Sequence, residues 1–281
     1  MGKVKIFSDS TCDLSPELVA QYDIGVVPVY VRFGDQVYRD GIDLTVEELY
    51  QKVDELGELP ATAAPSPGDF VQAFKPYIDD GLDIVFVGIS SDLSAILNNA
   101  RLAAQEFPEG RVHIADGRNL STGTGILVLK AADFAAQGMD ARTIAEKIEA
   151  LAPKVETEFI VDTLDYLHKG GRCTGLTRLV GSMLKIRPSL KVIGGKLYPN
   201  QKFRGTRQKA LNGLLNTVLA VKDEIDPERI FITHSVSDDG PYLKEELLKH
   251  IDAKEILITQ AGCVISSHCG RNTIGIIYMK K

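Results

Sequence analysis

The sequence has no tryptophan and only four cysteines in 281 residues, and none of the four stands in a C-x-x-C pair. A disulfide scaffold is thereby excluded, and reduced thiols are expected. No apolar run approaches the roughly 18 residues that cross a bilayer. The best, Ile24 to Val31, is interrupted by Pro28 and reads as a buried strand. No secretory leader is visible either, because Lys3 and Lys5 lead through Ile6 and Phe7 straight into Ser8-Asp9-Ser10-Thr11 without an apolar stretch. Myristoylation of Gly2 would need Ser or Thr where Ile6 stands. A cytosolic protein with no integral membrane segment is the expectation. Excess positive charge is absent too: 32 basic against 38 acidic side chains leave a net charge of -6. That opposes a general polyanion-binding surface, so nucleic acid is not an expected partner.

What is present describes an ordinary folded chain, 44% hydrophobic and 25% charged. Its length suggests about two domains at roughly 150 residues each. The first half alternates short β-branched runs (Val4 to Ser8, Ile24 to Val31, Ile84 to Ile89, Val112 to Ala115) with capped helical patterns. Those caps are Ser15-Pro16, Thr45 with Glu48, Ser66-Pro67 with Asp69, and Asp140. This alternation predicts βαβ units around a parallel sheet, with the continuously apolar Ile84 to Ile89 near its centre. A boundary is expected near residue 155, giving an N-terminal parallel-sheet α/β domain over 1–155 and a C-terminal mixed-sheet α/β domain over 156–281. In the second half a strand near Phe159 to Thr163 precedes short helices. A hairpin then turns at Gly194-Gly195, two glycines that allow the positive φ angles of a tight primed turn. A helix from Thr206, a strand at Arg229 to Thr233, a helix at Tyr242 to His250 and two further strands complete the unit.

Nucleotide signatures fail on inspection. Gly195-Lys196 has Leu190 in place of the first phosphate-loop glycine and Leu197 in place of the hydroxyl residue. Gly123-Thr124-Gly125 opens a G-x-G-x-x-G pattern whose third glycine position is Val128. No cofactor is predicted, and no metal either, since Cys263, His268 and Cys269 lack paired ligand spacing. More informative are hydroxyls after the predicted strands: Ser8, Ser10 and Thr11, then Ser90, Ser91 and Ser94, then Asn119, Ser121 and Thr122. In an open parallel sheet those ends share one edge, where N–H groups and hydroxyls can hold an anion without a lysine. Each could equally cap its own helix. Gly88-Ile89-Ser90-Ser91-Asp92 partly matches a nucleophile elbow, although Asp92 fills the second glycine position. An acyl hydrolase using Ser90 and His268 is therefore an alternative. Ser266 to Thr273 reads as a polar loop that presents His268, and Lys169-Gly170-Gly171-Arg172 either as a basic turn that presents Arg172 or as a helix C-cap.

Taken together, Asp9-Ser10-Thr11-Cys12-Asp13-Leu14, Thr62-Ala63-Ala64-Pro65-Ser66, Ser90-Ser91-Asp92-Leu93-Ser94, Thr163 to Arg172, Arg204 to Ala210 and Ser267-His268-Cys269-Gly270 resemble the DegV family across the whole chain. The resemblance implies a bacterial two-domain α/β protein that binds one long-chain fatty acid in an apolar tunnel. Its better-understood members are binding subunits of fatty acid kinase. They present the carboxylate to a separate ATP-using kinase subunit, which makes the acyl phosphate that feeds phospholipid synthesis. By the same resemblance Thr62 and Ser94 would donate to the carboxylate, with Ser91 in support, while Arg172 and His268 would lie at the end the kinase approaches. Three departures stand out: Ala95-Ile96 where Gly-Thr is usual, Ala63 beside Thr62, and Arg271-Asn272 where Pro-Gly is usual. The last would add a second positive charge at the mouth.

Overall fold

A computed structural model describes residues 4–175 and 186–281. The first half runs β1 (Val4–Asp9), α1 (Pro16–Gln21), β2 (Gly25–Val27), β3 (Tyr30–Phe33), β4 (Gln36–Arg39), α2 (Val46–Leu56) and β5 (Ala61–Ala63). It continues through α3 (Pro67–Asp79), β6 (Asp83–Gly88), α4 (Ile96–Ala104), β7 (Val112–Asp116), α5 (Thr122–Ala136) and α6 (Ala141–Leu151). The second half adds β8 (Val155–Ile160), α7 (Asp165–Gly170), β9 (Ile186–Ile193), β10 (Lys196–Arg204) and α8 (Arg207–Leu219). After these come β11 (Ile225–Ser235), α9 (Gly240–Leu248), β12 (Glu255–Gln260), α10 (Cys263–Cys269) and β13 (Thr273–Lys280).

The chain is α/β, as expected. An N-terminal sheet of order β2-β1-β6-β7 is wholly parallel. The other large sheet, of order β10-β9-β8-β13-β11-β12, is mixed, because only β11 and β12 run parallel. Strand β6 is buried on both faces, since α3 and α4 cover one side and α5 and α6 the other, which explains its unbroken apolar run. Helix α5 is buried continuously from Thr122 to Leu129 and contacts β1 on one side and β8, β11 and β13 on the other. A helix apolar all round belongs between two layers, and here it joins both sheets. Helices α8 and α9 close the outer face of the mixed sheet over Ile160, Ile230 and Ile276. At the hairpin Gly194 and Gly195 do take positive φ, 58° and 86°.

Two expectations change. The run Ile24 to Val31 is not one strand: β2 ends at Val27, and after Pro28, which has no N–H for a ladder, the chain leaves the parallel sheet. Strand β3 instead centres a small antiparallel sheet of order β4-β3-β5 in which Val31 faces Thr62. The stretch from Ser266 is not simply a polar loop, because Cys263–Cys269 is helical. Of the short helices expected before the hairpin, α7 is seen, and the remainder of that expectation falls on 176–185, outside the described residues.

Candidate functional site

Strand β5 has three residues and owes its place to pairing with β3, which brings Thr62 against α10. There Thr62 Oγ1 lies 2.9 Å from His268 Nε2. The imidazole packs so closely on the end of α7 that a Cβ at Gly170 would come within 2.3 Å of Nδ1, so a side chain at 170 would displace the ring. Burial, with a smaller contribution from the Arg172 charge, pushes the His268 pKa down to about 4. The ring is therefore neutral near pH 7 and carries one N–H. Nδ1 is buried and has no hydrogen-bond partner among the described residues. An orphaned buried N–H is rarer than a bare acceptor, so the tautomer assigned here places the proton on Nε2. His268 then donates to Thr62 Oγ1, and the threonine's own proton is directed elsewhere.

That pair borders a cavity of about 160 Å³ whose lining includes Thr11, Thr62, Ser94, Arg172 and His268 among mainly apolar side chains. Ile89, Leu93 and Ile96 come from around β6 and α4, and Phe159, Leu167 and Leu197 from the second half of the chain. The cavity thus lies where the parallel sheet, the small sheet and the mixed sheet meet. A second cavity of about 30 Å³ shares Leu120, Phe159, Ile265 and Cys269 with the first and reaches Gly275 and Ile277. Arg172 is the one cationic side chain lining the larger cavity among the described residues. It is exposed and is held by bonds from Nη1 to the Gly170 carbonyl at 2.6 Å and from Nε to the Leu93 carbonyl at 3.4 Å. The basic turn is also the α7 C-cap, with Gly171 at φ 64°.

The structure brings Thr62, Ser94, Arg172 and His268 to one cavity. Ser91 does not join them: it is exposed, its hydroxyl donates to Asp116 Oδ2 at 2.6 Å, and it is not part of the lining. Ser90 is not paired with His268 as a hydrolase would require. It is fully buried, its Oγ accepts the Asp92 N–H at 3.3 Å, and the hairpin turn packs over it so that a Cβ at Gly195 would lie 2.6 Å away. Arg271 adds no charge to the lining, because it bonds Asp54 at 2.6 Å and covers the Tyr50 ring at 4.8 Å. Ala95 and Ile96 do line the cavity beside Ser94, so that departure adds bulk at this end. Among the described residues no His, Cys, Asp or Glu group is arranged to hold a metal ion. Nothing in the sequence marks Leu120, Phe159, Val264 and Ile265 as lining, because a cavity wall and a packed core have the same apolar pattern.

The DegV family, described as uncharacterised proteins, matches residues 3–281. The chain belongs to the DegV family. Another member, a DegV domain-containing protein of Deinococcus radiodurans, is 33% identical over 275 residues, covering 97% of each chain. A DegV family structure from Thermus thermophilus, described for fatty acid binding, superposes with a TM-score of 0.93 at 31% identity over 99% of this chain and 100% of that one. A Thermotoga maritima protein described as revealing a fatty acid binding function gives a TM-score of 0.85 at 28% identity, over 100% of both chains. The architecture is thus that of a DegV protein.

Proposed function

We propose that this protein binds one long-chain fatty acid, with the acyl chain in the apolar cavity and the carboxylate held by the hydroxyls of Thr62 and Ser94. The observation that carries the reading is the His268–Thr62 pair at the edge of an apolar cavity. With His268 Nε2–H given to Thr62, the threonine proton is free for an acceptor, and a carboxylate is an acceptor only. Ser94 supplies a second hydroxyl in the same lining. The tail continues past Leu120 and Phe159 toward the second cavity. Each buried methylene contributes about 0.8 kcal/mol, so the tail supplies most of the affinity and the hydroxyls set its orientation. Fatty acid binding by the Thermus and Thermotoga relatives supports the choice of ligand.

We further infer a non-catalytic, cytoplasmic carrier that needs no cofactor of its own and presents the carboxylate to a separate kinase subunit. In that transfer a carboxylate oxygen attacks the γ-phosphorus of ATP on the partner, an O–P bond forms, and ADP leaves. Neutral hydroxyls hold the carboxylate without a strong ion pair that would have to break first. Arg172, exposed at the cavity, would meet the incoming phosphoryl charge. Mass spectrometry under native and denaturing conditions tests the reading. A single noncovalent fatty acid mass that disappears on denaturation is expected, and a covalent acyl adduct or no adduct at all would refute it.

A further inference from the structure

His268 stands on α10, a helix of seven residues whose first N–H groups have no partners within the helix. Two buried carboxylates accept two of them. Asp13 Oδ1 accepts the Gly262 N–H at 2.8 Å, and Asp40 Oδ1 accepts the Cys263 N–H at 2.7 Å. Each carboxylate uses its other oxygen on a second wall of the site. Asp40 Oδ2 accepts from the Ser10 hydroxyl at 2.8 Å, and Ser10 Oγ accepts the N–H of Val29, a lining residue, at 3.1 Å. Asp13 Oδ2 accepts from the hydroxyl of Ser121, which lines the smaller cavity.

The fit is close. A Cβ at Gly262 would lie 3.0 Å from both Asp40 oxygens and 3.3 Å from Asp13 Oδ1, so any side chain there would push the carboxylates back by a few tenths of an ångström. Asp13 and Ser121 both adopt positive φ, 50° and 53°, although neither is glycine. Such conformations cost energy and persist where surrounding contacts over-determine them. Here they let the two side chains meet. His268 is five residues beyond Cys263, about 7.5 Å along the axis, so a tilt at the clamp displaces the imidazole.

We infer that Asp13 and Asp40 are positioning residues for ligand carboxylate recognition, clamping the start of α10 so that His268 Nε2 meets Thr62. The inference rests on the reading of the cavity as a fatty acid site. Asp13→Asn and Asp40→Asn keep side-chain shape and the N–H acceptor but remove the acceptor facing Ser121 or Ser10. Binding of hexadecanoic acid is compared with that of hexadecanol, which has the same tail without a carboxylate. Loss of a hydrogen bond to a charged group corresponds to about tenfold in affinity, so the variants should lose about tenfold for the acid and less than twofold for the alcohol. Ser10→Ala, which removes only one partner of Asp40, should show the same selectivity to a smaller degree and serves if either Asn variant fails to fold. Equal losses for acid and alcohol, or unchanged acid affinity in folded variants, overturn the inference. Wild-type protein that binds neither ligand refutes the fatty acid reading itself, and this inference falls with it.

Discussion

Thr62→Val isolates the hydroxyl on which the proposed binding mode turns. Valine keeps the branched shape that suits β5, so the β3–β5 pairing persists and only two hydrogen bonds are lost. One is between His268 and Thr62, 2.9 Å apart, and its loss strands a buried Nε2–H whether or not ligand is present. An unsatisfied buried donor costs about 1–3 kcal/mol, which should appear as lowered stability of the free protein. The other is the bond from Thr62 to the ligand carboxylate, worth about 1.5–3 kcal/mol, so affinity should fall between roughly tenfold and a hundredfold. The two effects are separable. Thermal unfolding without ligand reads the first, and displacement of a fluorescent fatty acid reads the second. Thr62→Ser, which restores the hydroxyl, should recover most of both. A valine variant that binds fatty acid within twofold of wild type would refute the grip assigned to Thr62, whatever its stability.

The histidine makes a pH prediction. Its pKa of about 4 in the fold lies below the usual 6.5, so between those values only the unfolded chain takes up the proton. Stability contributed by neutral His268 is thus present above pH 6.5 and lost toward pH 4, by about 3 kcal/mol. Denaturant titrations should show a flatter acid limb over that window for His268→Gln than for wild type, and identical limbs would contradict the burial argument. Gly170→Ala places a methyl group 2.3 Å from Nδ1, and the displaced ring should weaken fatty acid binding by about tenfold. Unchanged affinity would show that the ring position does not matter. Arg172→Gln should leave fatty acid affinity within about threefold, given its exposure, and lower the rate of acyl phosphate formation with a kinase subunit and ATP. An unchanged rate would remove Arg172 from the transfer.

Much of the first sheet is legible because buried parallel strands and capped helices carry local patterns, and Thr45 with Glu48 and Ser66 with Asp69 do form capping boxes. The break at Pro28 is legible as an interruption, but which sheet receives β3 depends on partners far along the chain. Helix α10 is the clearest case of non-local control. Its start is satisfied by Asp13 and Asp40, 249 and 223 residues away from the groups they bond, and nothing near Ser266 signals that. Ser91 and Arg271 show the same limit on side chains. Their residue types suit an anion site, yet Asp116 and Asp54 engage them elsewhere.

A crystal structure of the protein with hexadecanoic acid measures the central claim most directly. The carboxylate oxygens should lie within about 3.2 Å of the Thr62 and Ser94 hydroxyls, the usual hydrogen-bond limit. The tail should run between Leu120 and Phe159. A carboxylate at the Gly275 end of the second cavity, or a fatty acid bound outside both cavities, would contradict it.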